Sequence, residues 1–545
     1  MSSIFDLKTD VGQLSNANEG TARMEYQQQP PTRNVTTNNF PNGAISFRWQ
    51  LSGQKWWIPN RSYLRVRCSL KRGDGASLRL NNNIAPNMGL CASLFQSAEF
   101  RINDKTISRV GDYMSQVDAL ETRLSKSRGW LNGIGNAVNF WEDDFKIRQQ
   151  DVVSDAADKN VTQSITNRLA LGFDALTTIA IDEATGILTF DANGGANPAP
   201  VIASSFVVGD EIEIVSAVAG VGTIRYRISA LLAGGLTIQL NNTYQAVATA
   251  AAALQFSRVR SVLINNDSRK LQQFELIWTP PLSMFKIGHA VPNGKFELLL
   301  NPQTASVYQK AAIESLLGAG DKNTGGGVDN FIFTVENMYL YVNTVDGNRC
   351  DDITYLLDLE QTRCQADKVN NASFGQKSWD VSPSTYALTV AYQDLRAGTN
   401  TQASATKFKS YNGALNSEEE TKLNRFFINY AGQNLPAPDA DPNYVVATGI
   451  DYTTQRYIES QIYSGTYYTS GGGESIQEYK ARGAYYYFSI PRDGTDRSTR
   501  VTVNQGFDLA TDTDNMRVLL FDHSKQVASV RIQDGRVIDV KLDDA

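Results

Sequence analysis

From Ala44 onward, apolar and polar residues alternate: Ile45, Phe47, Trp49 and Leu51 are separated by Ser46, Arg48 and Gln50. A period of two is the pattern of a strand with one buried face. Tyr63-Leu-Arg-Val-Arg-Cys-Ser-Leu70 repeats it, with Leu64, Val66 and Cys68 directed to a core and Tyr63 and Arg65 to the other face. Residues 90–95 and 98–103 extend the sheet, and Asn103-Asp-Lys is the expected turn. Further strands are predicted at 272–278, 294–302, 331–342, 484–490, 500–504, 517–521, 526–532 and 537–542. Helical spacing is rarer. Tyr113, Val117, Leu120 and Leu124 fall at i, i+4, i+7 and i+11, with Asp112 placed to cap the first turn. Other predicted helices are 305–317, 454–463, and one behind the capping box Ser417-Glu-Glu-Glu420 that uses Leu423, Phe426 and Phe427 as its apolar face.

Two stretches recur in the same order. Gly53-Gln-Lys-Trp-Trp-Ile-Pro, followed by Tyr63, is echoed by Gly375-Gln-Lys-Ser-Trp, then Pro383 and Tyr386. Asn337-Met338 and Asn515-Met516 each lead into an apolar β run. Two tandem copies of one β unit are the simplest account. The openings lie farther apart than the closings, so the first copy is the longer one, and residues 176–258 supply much of the excess. That segment holds five or six short strands between turn signals, enough for a small barrel or sandwich. The expected organisation is an extended polar arm at 1–43, a first unit at 44–345 carrying the inserted 176–258 domain as a protrusion, a connector at 346–372, and a second unit at 373–545. A chain of 545 residues is too long for one core, since single cores stop growing at roughly 250 to 300 residues.

Composition narrows the function. Hydrophobic residues at 41% and charged residues at 20% describe a folded chain rather than a disordered one. The formal charge of −6 and the mixed charges of residues 1–40 argue against a phosphate-neutralising tail, so strong direct nucleic-acid binding is not expected. No apolar run is long enough to span a bilayer, and the first residues lack the pattern of a secretory signal, which predicts folding inside the cell. Cys68, Cys91, Cys350 and Cys364 are scattered and read as buried apolar residues rather than metal ligands. With only His289 and His523, and with no nucleophile, phosphate-loop or metal-binding signature, no catalytic, cofactor-binding or metal-binding residue is nominated. The acidic clusters 142–144 and 418–420 read as a solvated face and a helix cap, and Asp439, Asp441 and Asp451 as a Pro-rich loop. Trp56-Trp57 and Tyr485-Tyr-Tyr-Phe488 support two readings, core plus subunit interface or platforms for sugar rings. An enzyme is not expected. The alternative to a self-associating subunit is a β-sandwich carbohydrate-binding or attachment protein.

Several of these stretches together resemble a known family. Trp49 through Leu70, Ala92-Ser-Leu-Phe95, the 113–130 region with Arg123-Leu124, Trp141, and Pro292-Asn-Gly-Lys-Phe-Glu-Leu298 look like the first unit of double jelly-roll major capsid proteins of the polinton-like virus and virophage type. Trp379 to Asp394, Tyr430-Ala-Gly-Gln433 with Pro436, and the terminal strands are similar to the second unit. Residues 176–258 have no counterpart in that pattern. The resemblance implies an all-β fold of two tandem eight-stranded jelly rolls and a homotrimer with pseudo-hexameric outline. It further implies tiling of the icosahedral capsid of a double-stranded DNA virus, penton and minor capsid proteins as partners, and residence in the virion.

Overall fold

The computed structural model describes residues 24–36, 39–51, 55–72, 84–86, 89–127, 129–130, 134–137, 179–182, 187–190, 211–215, 223–232, 237–240, 256–258, 273–305, 308, 313–315, 331–346, 353–369, 375–394, 423–435, 453–463, 476, 479, 485–490, 498–507, 516–534 and 536–543. In chain order the strands are β1 (Met24–Gln29), β2 (Ile45–Trp49), β3 (Lys55–Arg72), β4 (Ile84–Pro86), β5 (Phe95–Ile102) and β6 (Lys105–Val110). Six short strands follow: β7 (Ile179–Asp182), β8 (Ile187–Phe190), β9 (Glu211–Val215), β10 (Thr223–Leu231), β11 (Thr237–Leu240) and β12 (Phe256–Arg258). The first unit resumes with β13 (Gln273–Trp278), β14 (Phe296–Pro302), β15 (Ile313–Ser315) and β16 (Phe331–Asp346). The second consists of β17 (Ile353–Lys368), β18 (Gly375–Asp380), β19 (Thr385–Asp394), β20 (Leu423–Tyr430), β21 (Gln433–Leu435), β22 (Tyr485–Ser489), β23 (Arg500–Phe507) and β24 (Met516–Gln533), with β25 (Arg536–Asp543) paired to β24.

The first unit is two four-stranded sheets, ordered β1-β16-β3-β13 and β2-β14-β5-β6; the second is β17-β24-β19-β22 and β18-β23-β20-β21. Counting the eight sandwich strands of each unit in chain order, both units read 1-8-3-6 in one sheet and 2-7-4-5 in the other. All these pairs are antiparallel. The connections are therefore duplicated strand for strand, although few residues are shared.

Alternation sets the register, because one residue of slip would turn every apolar side chain to the wrong face. In β3, Leu64, Val66 and Cys68 are fully buried between the sheets, as their spacing requires. The centre of the first unit is aromatic. Trp57 lies 5.1 to 5.6 Å, ring centre to ring centre, from Trp49, Phe100, Phe285 and Phe296, and its Nε1 donates to Ser62 Oγ at 2.8 Å. In the second unit Phe426 packs on Tyr486 and Phe488, and Tyr392 meets Phe507 edge-on.

Several expectations are corrected. Residues 24–29, expected to belong to an extended polar arm, form the edge strand β1 on β16 of their own unit. Behind it Val35 and Phe40 are buried, and Arg33 donates to the carbonyls of Asn39, Phe40, Gly43 and Ala44, so this stretch packs on its own unit. Residues 353–368, assigned to a connector, form β17, paired with β24 along its full length. The predicted helix over 417–427 gives way to β20. Phe426, Ile428 and Tyr430 are buried at a period of two and the strand is held by β23, so ladder pairing overrides the helical cue. Residues 417–422, and with them the acidic cluster 418–420, lie outside the described residues, as do 142–144, Asp439, Asp441, Asp451 and Cys350. Within 305–317, Ile313–Ser315 is strand, paired with β4. The helix Met114–Ser125 is present, but Asp112 does not cap it; the N-cap position is Tyr113 in the left-handed region, and the Asp112 carboxylate accepts from Gln96. The helix Thr453–Tyr463 is present as expected.

The echoes resolve differently. Met338 and Met516 lie on β16 and β24, the eighth strand of each unit. The Gly-Gln-Lys-Trp echo is out of phase: Trp57 lies on the third strand of its unit, Trp379 on the second. The six strands described between 179 and 258 form one antiparallel sheet ordered β12-β9-β10-β11-β8-β7. Its long strand β10 pairs with β9 as far as Arg227 and with β11 from Ile228, where the register shifts between Ile228 and Ala230.

Candidate assembly interface

The units meet along the outer face of the β17-β24-β19-β22 sheet. On β24 the side chains of Arg517, Leu519, Phe521 and His523 share one face, and the cross-strand register sets Thr362, Cys364, Ala387, Thr389, Gln393, Tyr485 and Tyr487 beside them. All are buried. An outer sheet face of this kind is ordinarily solvated; here the helix Met114–Ser125 of the first unit lies against it. Arg123 of that helix stacks on the Tyr485 ring at 4.7 Å, and Arg517 stacks on Tyr113 at 4.9 Å. Lys286 pairs with Glu121 at 2.5 Å and donates to the Glu360 carbonyl, while Gln361 donates to the carbonyl of Arg109. The apolar residues of both units belong to one continuous core.

Strand alternation explains the Tyr485-Tyr-Tyr-Phe488 run. Tyr486 and Phe488 enter the second unit's core, whereas Tyr485 and Tyr487 face the seam, against Arg123 and His523 respectively. The partner expected for the second pair is the chain's own first unit.

The seam holds polar groups at a cost that only pairing offsets. His523 is fully enclosed between Thr362 Oγ1, 3.1 Å from Nδ1, and Thr389 Oγ1, 2.8 Å from Nε2. Burial, with Lys286 adding to it, pulls its pKa down to about 3, so the ring is neutral. On the side of the Met114–Ser125 helix that faces its own unit, half-buried Asp118 accepts from Trp278 Nε1 of β13 at 3.2 Å; desolvation pushes its carboxyl up to about 7. Arg517 donates from Nε to Gln393 at 2.5 Å, its Nη2 has no hydrogen-bond partner among the described residues, and burial lowers its pKa. Burial likewise raises the thiols of Cys68, Cys91 and Cys364, which are free and inert in the packed interior.

A second contact fastens the seam at the other end. Asn103 and Asp104 both have positive φ, 49° and 66°, closing the β5–β6 hairpin with a two-residue turn of the primed type. Asn103 accepts from the Lys295 amide at 3.0 Å and donates through Nδ2 to the Val537 carbonyl at 2.7 Å, joining the turn to β25. The Val537 amide donates to the Asn293 carbonyl, and Lys105 reaches Asp539 at 2.6 Å. Between them Gly294 leaves room for β25: a Cβ there would lie 3.3 Å from that of Val537. Asn103→Ala is expected to cost about 2 kcal/mol, from the left-handed backbone and two lost hydrogen bonds. Asn103→Gly, which keeps the backbone and loses only the bonds, is expected to cost less. Thermal melts of the two variants check the order.

The aromatic clusters are nominated by the sequence but the seam is not, since Asn103 and His523 carry no motif and meet their surroundings only when the two units dock. Trp56 and Trp57, the candidate sugar platforms, and Trp379 of the echoed stretch are at most 9% exposed.

No protein-family model and no curated protein matches the chain. Among solved structures, the chain is similar to the cryo-EM structure of the Sputnik virophage, with a TM-score of 0.50 and 9% sequence identity over 96% of this chain and 88% of that one. Within this chain the two sandwiches share one strand order. The fold is a double jelly roll. Two further solved structures match across nearly the whole chain: the Faustovirus major capsid protein (TM-score 0.44, 10% identity, 94% of this chain and 91% of that) and the mavirus major capsid protein (0.42, 11%, 97% and 93%). In this double jelly roll the first roll is β1 to β16, less the inserted sheet, and the second is β17 to β25.

Proposed function

We propose that this double jelly roll is a major capsid protein. It associates as a homotrimer with a pseudo-hexameric outline, and the trimers tile the icosahedral shell of a double-stranded DNA virus. The observation that carries this reading is the strand-for-strand duplication of one roll within a single chain, the two copies joined through a shared core. Two similar wedges per chain and three chains per ring give six, the number that packs a plane. The likeness to the Sputnik virophage structure supports the same conclusion.

On this reading the protein is structural and turns over no substrate, its partners are copies of itself with penton and minor capsid proteins, and it resides in the virion. The inserted 176–258 domain is an outward protrusion. No helix among the described residues is long and apolar enough to cross a membrane. The alternative of a sugar-binding protein loses its main support with the burial of Trp56, Trp57 and Trp379.

Mass in solution tests the reading. Purified protein is expected near 180 kDa, about three times the 60.0 kDa chain, by light scattering. A strictly monomeric species at high concentration would count against the proposal.

A further inference from the structure

The two rolls present the same 1-8-3-6 sheet in different surroundings. In the second roll the part of its outer face around Arg517, Tyr485 and His523 is covered by the Met114–Ser125 helix, which the first roll carries between its fifth and sixth strands, β6 and β13. In the first roll the corresponding face, on β1, β16, β3 and β13, is open. Met24 and Tyr26 on β1 are 51% and 52% exposed, Ile277 on β13 is 40% and Ile332 on β16 is 37%. Four of the eleven large exposed hydrophobic side chains among the described residues thus share one sheet face. Between them Tyr63 stacks on Tyr341 at 5.3 Å and packs against Tyr26 at 5.6 Å, next to the Arg65–Glu275 ion pair. Tyrosines beside apolar and paired charged residues suit a protein interface.

The second roll also carries a helix between its own fifth and sixth strands. The Thr453–Tyr463 helix follows β21 and precedes β22, the place that Met114–Ser125 holds in the first roll. It packs Tyr457 against Tyr479 and buries Ser460 and Gln461, yet leaves Ile458 and Ile462, one turn apart, 40% and 38% exposed. The hairpin turns agree with this. Asn103–Asp104 of the first roll is engaged by β25, while Ala431–Gly432, the equivalent positive-φ turn of the second roll, is exposed. Each chain therefore carries one used and one unused copy of the same sheet face and of the same helix.

We infer that the open face centred on Tyr26, Tyr63, Tyr341 and Ile277 receives the Ile458 and Ile462 face of the Thr453–Tyr463 helix from a second copy of this chain. This rests on the self-assembling role proposed above and names the surfaces through which it works. The contact is head-to-tail, so it closes only as a ring. It repeats between chains the docking that the seam makes within one.

The test uses full-length protein in two variants: a face variant, Tyr26→Asp with Ile277→Asp, and a helix variant, Ile458→Asp with Ile462→Asp. All four positions are solvent-exposed, so each variant is expected to keep the parent's circular dichroism and melting temperature. Each alone is expected to sediment as a monomer at concentrations where the parent is a trimer. Mixed in equal amounts they are expected to form dimers and stop there, because each supplies the one surface the other lacks. Variants that both remain trimeric would overturn the assignment of surfaces while leaving assembly intact. A monomeric parent would instead remove the underlying reading. Should the helix variant lose its melting transition, Ile458→Thr with Ile462→Thr replaces it, and should the face variant lose it, Tyr26→Ser with Ile277→Thr does, with at least a tenfold weaker trimer expected of each; an unchanged association constant would overturn the inference.

Discussion

Trp57→Ala is expected to destabilise the first roll by about 4 kcal/mol, the size of loss that follows removal of a fully buried indole from a packed core. Trp57 is completely enclosed and touches four other aromatic rings, so the cavity would be lined by groups that cannot all move inward. It would also strip a donor from Ser62, whose hydroxyl ties the Ile58 carbonyl to the Asn343 amide where β3 and β16 shift register. Trp57→Phe, which keeps a ring and loses the donor, should fall well short of that loss. Urea unfolding followed by circular dichroism measures both. A midpoint for Trp57→Ala equal to that of the parent would contradict the central place given to this cluster.

Asp118→Asn is expected to change the pH dependence of stability, because Asp118, inside the first roll, and His523, at the seam, titrate in opposition. The Asp118 carboxyl, pushed up to about 7 by burial, binds its proton more tightly folded than unfolded. Its contribution is complete below its ordinary value of 3.8 and is lost as pH rises toward 7. Trp278, Lys126 and Lys286 favour the charged form, and Glu121 opposes it. His523 runs the other way: with its pKa pulled down to about 3, its contribution is present above 6.5 and is lost as pH falls toward 3. At 1.36 kcal/mol per unit, the limits are about 4 kcal/mol for the first and about 5 for the second. Between roughly pH 4 and 6.5 the two slopes nearly cancel. Asparagine retains an acceptor for Trp278 and abolishes the Asp118 titration, so the variant should gain stability at pH 8 and lose it steeply on acidification. Melting temperatures from pH 4 to 8 decide the matter; parallel curves for parent and variant would refute the opposition.

The strands were legible wherever one face meets a core and the other meets water, as in Leu64, Val66 and Cys68 against Tyr63 and Arg65. That alternation is local and survives any tertiary context. Legibility failed where burial lies on both faces. Tyr485 to Phe488 are all enclosed, and periodicity alone could not show that half of them answer to a second unit of the same chain. It failed also where a local cue was outvoted: the capping box at 417–420 announced a helix, but Phe426, Ile428 and Tyr430 pair with β23 and fill the core. The polar composition of residues 24–29 suggested an arm because an edge strand takes its hydrogen bonds from a distant partner, β16, and buries little of its own. The duplication was read correctly from Met338 and Met516 and partly by accident from Trp57 and Trp379, which lie on non-equivalent strands. For the seam there was no signal, since Asn103 and Val537 become neighbours only after both rolls exist.

The clasp formed by β25 bears on when the chain becomes competent to associate. The elements it grips, the Asn103 turn and the segment around Asn293, leave the ribosome far ahead of it, as does the Met114–Ser125 helix that must seal the second sheet. A nascent first roll therefore waits with its docking helix uncovered until β24 has emerged to complete the sheet, and with its Asn103 turn unclasped until β25 follows. Polysomes bring many such half-finished rolls close together, and a chaperone that shields this helix during synthesis would prevent one chain's helix from capping another chain's sheet.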